Sequence, residues 1–109
     1  MKVYKVLTQE EWDKIGENGE FLGADIDRRD GYIHLSTQEQ VGETLRLHFK
    51  GQTGLILLEF EADTLNKLQY EASRNGDLFP HLYHSLNINF RTKMWTLEND
   101  RHGVPLSPW

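Results

Sequence analysis

The stretch Leu55-Ile-Leu-Leu58, which leads to Phe60, decides the fold because it is a continuous apolar run. Such a run is typical of a central strand that is covered on both faces. Outward from it, residues 2–7 and 68–71 are predicted to be strands, with a brief helical turn at Asp63 and Thr64 between them. Apolar and polar positions alternate from residue 88 to residue 96, which predicts a final long strand of the half-buried kind.

Two helices are predicted from capping sequences. Thr8 and Glu11 have the spacing at which a hydroxyl and a carboxylate cap a helix start reciprocally, so a short helix should run to about Ile15. Thr37 repeats the device with Gln40 and opens a helix to about Lys50. Residues 16–31 and 73–77 are polar and rich in turn formers, and we expect loops there.

The order of these elements predicts the fold class. Strands and helices do not alternate in the rhythm of a doubly wound fold. We therefore expect an α+β fold: one small domain over residues 1–109, with a bent, mostly antiparallel (mixed) sheet and two or three short helices.

Composition excludes several classes of function. The chain has no cysteine, so it has neither a disulfide framework nor a thiolate metal site. Its net charge of -5 makes binding of duplex nucleic acid unfavourable. No long apolar segment is present, so we expect a cytoplasmic protein with no membrane partner. Four arginines either gather around a phosphate or pair with nearby carboxylates: Arg28, Arg29, Arg46 and Arg74.

The segment Tyr32–Ser36 contains the most informative histidine. On a strand, Ile33 and Leu35 point to one face, and Tyr32, His34 and Ser36 to the other. An imidazole held beside an aromatic ring and a hydroxyl is suited to binding a ligand. A structural histidine bonded to a backbone carbonyl is the alternative, and the residue types leave both open.

A second candidate segment is Leu78-Phe-Pro-His-Leu-Tyr-His84, in which Pro80 restricts Phe79 and sets the presentation of His81. His81 and His84 lack a carboxylate or cysteine at a matching spacing, so no metal is expected. Glu71, at a strand end, could act as a base or hold a ribose hydroxyl, or it could simply face water.

The sequence also resembles the bacterial family known as domain of unknown function 952. Gly31-Tyr-Ile-His-Leu-Ser-Thr37 carries the resemblance, together with Tyr70-Glu71 and Gly76-Asp-Leu-Phe-Pro-His-Leu-Tyr83. Gln40, Thr44 and the strand at Leu57-Leu58 belong to the same pattern. Tyr70 stands where tryptophan is expected, and His84 where glycine is expected.

The resemblance implies a fold related to the ADP-ribosyltransferase and RNA 2'-phosphotransferase group, whose bent sheets hold NAD in a central cleft. By that analogy His34 would contact the ribose of NAD, Tyr83 or Tyr32 would stack on nicotinamide, and Glu71 would orient the acceptor. The catalytic candidates are His34, Glu71 and His81, and we expect the imidazoles of His34 and His81 to converge on a shared, water-accessible hollow. The candidate ligand contacts are Tyr32, Ser36, Gln40, Phe79 and Tyr83.

Three hypotheses follow, in descending order. The chain is an NAD-cleaving transferase, or a descendant that keeps the NAD pocket. Alternatively, it is a non-catalytic module that binds a small metabolite, a modified nucleotide or a protein partner through the same cleft. RNA 2'-phosphate transfer is third, because it needs several cationic side chains around one phosphate.

Overall fold

A computed structural model describes residues 1–73 and 76–109. Arg74 and the middle of the loop predicted at residues 73–77 therefore lie outside the described residues. Three helices are described: α1 (Gln9–Asp13), α2 (Asp25–Asp30) and α3 (Gln38–His48). The nine strands are β1 (Lys2–Leu7), β2 (Glu20–Phe21), β3 (Ile33–His34), β4 (Ser36–Thr37), β5 (Ile56–Glu61), β6 (Leu68–Ala72), β7 (Leu78–Leu82), β8 (Leu86–Asn87) and β9 (Lys93–Thr96).

The strands form three small sheets in the described part of the chain. Their orders are β4-β1-β5-β9, β3-β7-β6 and β2-β8. Every pairing between these strands is antiparallel, so the α+β prediction is confirmed, while the expected mixed pairing is not found. The chain passes from one sheet to another at Leu35, between β3 and β4.

Two apolar cores lie on opposite faces of the four-stranded sheet. Ile56, Leu58 and Phe60 of β5 face one core, while Leu57 and the preceding Leu55 face the other. This confirms that the apolar run is a strand covered on both faces. The first core joins the four-stranded sheet to the other two sheets, and the second packs against Val41 and Leu45 of α3.

Both predicted helix starts are confirmed. Thr8 accepts a hydrogen bond from the backbone N–H of Glu11, and the carboxylate of Glu11 accepts one from the N–H of Thr8. At α3, the side-chain oxygen of Gln40 accepts from the N–H of Thr37. The helical turn at residues 62–64 and the strand at residues 68–72 are also present.

Two local predictions are wrong, and a third segment has a feature that the sequence analysis did not address. The expected loop over residues 16–30 contains β2 and α2. The expected long strand from residue 88 to residue 96 begins as a 3-10 turn, Ile88–Phe90, and only Lys93–Thr96 is extended. The segment Leu78–Leu82 is the central strand of its sheet, although it contains Pro80. The carbonyl of Pro80 accepts a hydrogen bond from the backbone N–H of Leu35 at 3.0 Å, and proline has no N–H to return it.

None of the described helices has the length and apolar character needed to cross a membrane.

Candidate functional site

The pairing of β3 with β7 brings the two predicted histidines together. His34 lies opposite His81 in the register, and their ring centroids are 5.8 Å apart. Antiparallel partners directly opposite each other place their side chains on the same face of the sheet. The other face carries Ile33 and Leu82 into the first core, so the two imidazoles face away from it.

Two tyrosines complete the group. The ring of Tyr32 stacks on His81 with 4.0 Å between centroids, and it lies 4.7 Å from His34 and 5.3 Å from Tyr83. Glu71 of β6 reaches the same face. We refer to Tyr32, His34, Glu71, His81 and Tyr83 as the histidine–tyrosine cluster.

Glu71 is held by two members of the histidine–tyrosine cluster. The hydroxyl of Tyr83 donates to its Oε1 at 2.6 Å, and Nδ1 of His81 lies 2.8 Å from the same oxygen. These hydrogen bonds, first from Tyr83 and then from His81, lower the pKa of Glu71. The hydrogen bond between Tyr83 and Glu71 also raises the pKa of Tyr83 to about 12. Glu71 is therefore an ionised carboxylate placed among aromatic rings.

His34 lies between two other carboxylates. Its Nδ1 is 2.6 Å from Oδ1 of Asp27, and its Nε2 is 3.0 Å from Oδ2 of Asp30. Asp27 also accepts from the backbone N–H of His34 and from Lys5 Nζ at 2.9 Å. Burial alone would raise the pKa of Asp27, but the hydrogen bond from His34 and the charge of Lys5 outweigh it and hold the pKa well below its ordinary value.

The backbone around Gly31 explains how Asp27 reaches His34. Gly31 ends α2 with a φ of 86°, a left-handed conformation that suits glycine. The chain turns back there, and Tyr32 and His34 run past the helix that they follow. The helix residues Asp27 and Asp30 thus lie beside the imidazole.

Exposure differs among the members of the histidine–tyrosine cluster. The side chains of Glu71 and His34 are 43% and 33% exposed, whereas the whole His81 residue is only 3% exposed. The expectation of two water-accessible imidazoles is therefore corrected to one, because Tyr32 covers His81. In the described structure His81 supports Glu71 and does not face solvent.

Three other predicted residues lie around the histidine–tyrosine cluster. Ser36 is buried, and its hydroxyl lies 3.1 Å from that of Thr44, so it does not face the expected hollow. The amide of Gln40 donates to the carbonyl of Leu78 and links α3 to β7. Phe79 lies opposite Glu71 in the register, on the same face of the sheet as His81.

The arginines do not gather in the described part of the chain. Arg28 pairs with Asp25, Arg29 with Asp30, and Arg46 with Glu43. Each pair joins residues at most three positions apart in the sequence. Of the two alternatives, a phosphate site or pairing with nearby carboxylates, the structure contains the pairing at these three positions.

A cavity of about 710 Å³ opens on the other side of His34. Its lining includes Lys5, Phe21, Ile26 and Phe49, but not the other four members of the histidine–tyrosine cluster. The cluster itself lies on an open face of the small sheet. Within residues 1–73 and 76–109, no three histidine, aspartate or glutamate side chains are grouped so that they could hold a metal ion.

The sequence interpretation missed Lys5, Asp27 and Asp30. Lys5 occupies the alternate position between Val3 and Leu7, both of which face the first core, so it needed a buried partner. Acidic residues in the first turn of α2, arginines in its last turn and Gly31 after it form a helix signature that could have placed Asp27.

Comparisons with known proteins agree with this architecture. The family model described as "Protein of unknown function (DUF952)" matches residues 6–92. The crystal structure of protein CC0527 from Caulobacter crescentus is 44% identical, with 97% of this chain and 94% of that chain covered and a TM-score of 0.92. Its solution NMR structure is 45% identical over 95% of this chain and 90% of that one, with a TM-score of 0.84. No curated protein matches the sequence.

Proposed function

The chain belongs to the DUF952 family, and we propose that its histidine–tyrosine cluster binds NAD and supports transfer of the ADP-ribosyl group. The observation that carries the proposal is the position of Glu71, an ionised carboxylate on an open face lined by tyrosine and histidine rings. Such a surface attracts a planar cation, because both the carboxylate and the ring faces favour positive charge. The nicotinamide end of oxidised NAD is a planar cation.

The reaction needs the same electrostatics. When the bond between nicotinamide and ribose breaks, its electron pair leaves with nicotinamide and positive charge develops on the ribose. Glu71 would stabilise that charge and then accept the proton that the attacking acceptor loses. Tyr83 and His81 hold Glu71 through the bonds that lower its pKa, so Glu71 stays ionised near neutral pH.

The other exposed members of the histidine–tyrosine cluster have separate roles in the proposal. Tyr32 and Tyr83 offer ring faces for stacking, and His34 offers Nε2 to a ribose hydroxyl. His81 is buried, so it orients Glu71 and does not touch the ligand. This assigns contact roles to Tyr32, His34, Glu71 and Tyr83, and a positioning role to His81.

NAD titration tests the proposal directly. We expect millimolar NAD to raise the melting temperature and to shift the NMR signals of His34, Tyr32 and Tyr83. His34→Ala should weaken binding, whereas His102→Ala, on an exposed turn outside the histidine–tyrosine cluster, should not. Absence of both responses in the wild type would refute NAD binding.

The second candidate is a module that binds a ligand through the same face without turnover. It is favoured by the closed set of hydrogen bonds among Glu71, His81 and Tyr83. Among the described residues, this set leaves no second acid or base that is free to act beside Glu71. A nicotinamide-release assay separates the two. Release by the wild type that Glu71→Gln abolishes supports transfer, and binding without release supports the module.

A further inference from the structure

The carboxylate of Asp27 is surrounded by hydrogen-bond donors. Its Oδ2 accepts from Lys5 Nζ at 2.9 Å and from the backbone N–H of Ala24 at 2.8 Å. Its Oδ1 accepts from the backbone N–H of His34 at 3.0 Å and lies 2.6 Å from Nδ1 of the same residue. The Asp27 side chain is 1% exposed, so water cannot replace any of these partners.

An ionised carboxylate can only accept hydrogen bonds, so Nδ1 of His34 must carry the hydrogen in its contact with Asp27. The charge of Lys5 and the backbone N–H groups of Ala24 and His34 together keep Asp27 in that ionised form. Lys5 also donates to the backbone carbonyl of His34 at 3.0 Å and fixes the strand on which the ring is mounted. Both the orientation of the imidazole and its protonated nitrogen are thus set from the buried side.

We propose that Asp27 is a positioning residue, which keeps a proton on Nδ1 of His34 and thereby makes Nε2 the atom that meets the ligand. The assignment deepens the proposed function and rests on it only for the identity of the ligand. Nε2 faces Asp30, which is partly exposed and also pairs with Arg29, so a ligand can take its place. Nε2 donates to Asp30 when the ring is charged. When the ring is neutral, the shorter contact with the buried Asp27 keeps the remaining hydrogen on Nδ1, and Nε2 accepts.

Asparagine cannot replace Asp27 in this role. In one orientation its amide N–H groups point at Lys5 and at the N–H of Ala24, which are donors. In the other orientation they point at the backbone N–H and Nδ1 of His34. The first orientation sets a charged ammonium and a backbone N–H against the amide N–H groups, whereas in the second Nδ1 can give up its hydrogen and accept. The second orientation therefore costs less, and it favours an unprotonated Nδ1.

The test is the tautomer of His34, read from long-range ¹H–¹⁵N NMR spectra at a pH where the ring is neutral. We expect the wild type to keep its remaining proton on Nδ1, and Asp27→Asn to move a substantial fraction of it to Nε2. Lys5→Met is the matched control, because it also breaks the buried ion pair but leaves the carboxylate and three of its four donors in place. Lys5→Met should keep the wild-type tautomer.

NAD affinity provides the second readout. We expect Asp27→Asn to lower it about tenfold, which is the size typical of losing a group that orients a ligand-binding histidine. A wild-type spectrum with the proton on Nε2 would overturn the assignment even if Asp27→Asn fails to fold, and so would a tautomer that Asp27→Asn leaves unchanged. If the tautomer changes as expected but no variant binds NAD, the proposed function fails and the role of Asp27 stands.

Discussion

The histidines of the Asp27–His34 and Glu71–His81 pairs lie on neighbouring strands of one small sheet, yet the two pairs are buried in opposite senses. In the first pair the carboxylate is 1% exposed and the histidine 33%; in the second the histidine is 4% exposed and the carboxylate 43%. The comparison teaches which group of each pair is available. His34 and Glu71 face the solvent, and each is held by a partner that does not.

The two pairs also differ in their surroundings. Asp27 is tied to Lys5 and to two backbone N–H groups inside the protein. It therefore stabilises the fold in addition to orienting His34. Within the part of the chain that the structure describes, Glu71 is tied to His81 and Tyr83, both members of the histidine–tyrosine cluster. We therefore expect the first pair to control stability and the second to tune the site.

The largest expected effect is on the free energy of unfolding. Asp27→Asn leaves the buried ammonium of Lys5 without its counter-charge, and removal of one partner of a buried ion pair costs about 3–5 kcal/mol. Glu71→Gln removes an exposed carboxylate and should change the free energy of unfolding far less. Urea unfolding of both variants measures the difference, and equal losses would contradict the assignment of Asp27 as the structural member.

Acid should reveal the same asymmetry. Folding lowers the pKa of Asp27, because the His34 hydrogen bond and the Lys5 charge outweigh its burial. The resulting stability is fully present above the pKa of an unfolded aspartate, about 3.9, and it is lost as pH falls through the lower pKa of the folded chain.

Urea unfolding between pH 6 and pH 2, values chosen roughly to bracket the ordinary carboxyl range, should show a steep loss in the wild type. The slope should be shallower in Asp27→Asn, which has no carboxylate to protonate at this position. Glu71→Gln is the matched control and should keep most of the wild-type slope. A wild-type slope in Asp27→Asn would show that other carboxylates cause the acid loss.

Ligand affinity should separate the two histidines. His34→Ala removes one hydrogen bond to the proposed NAD ribose, worth about 1.4 kcal/mol or tenfold in Kd. His81→Phe keeps a ring against Tyr32 but removes the bond to Glu71, so the loss of affinity should be smaller. Calorimetric titration measures both. A larger loss in His81→Phe than in His34→Ala would reverse the order inferred from burial.

The sequence alone predicted the elements that depend on local signals. The apolar run at residues 55–58 and the hydroxyl–carboxylate spacing of Thr8 and Glu11 are such signals, and both elements are present. It also singled out His34 and His81. Their opposition depends on the pairing of β3 with β7, whose partners are nearly fifty residues apart in the chain, and no local pattern encodes such a pairing.

Two errors have identifiable physical causes. α2 is a six-residue helix in a polar, glycine-rich stretch, so it lacks the periodic apolar stripe by which helices are predicted. Because the helix was not predicted, Asp27 was not predicted as a site residue. The alternation over residues 88–96 predicted one long strand, but the side chain of Asn87 accepts a hydrogen bond from the backbone N–H of Asn89 and caps the 3-10 turn Ile88–Phe90, so only Lys93–Thr96 is extended. A charged residue at an inward strand position, such as Lys5, indicates a buried partner of opposite charge, and this signal was not used.

The smallest expected effect concerns the exposed pair. Tyr83→Phe removes the hydroxyl that donates to Glu71, the leading cause of the lowered pKa of that carboxylate. The pKa of Glu71 should rise towards its ordinary value but not reach it, because His81 still lies 2.8 Å away. Carboxyl ¹³C titration measures the change, and Tyr70→Phe, whose hydroxyl contacts Met1, is the control. An unchanged Glu71 pKa would mean that the Tyr83 bond does not persist in solution. A rise confined to Tyr83→Phe would make Glu71 the adjustable carboxylate of the two, since among the described residues four donors hold the buried Asp27 and two hold Glu71.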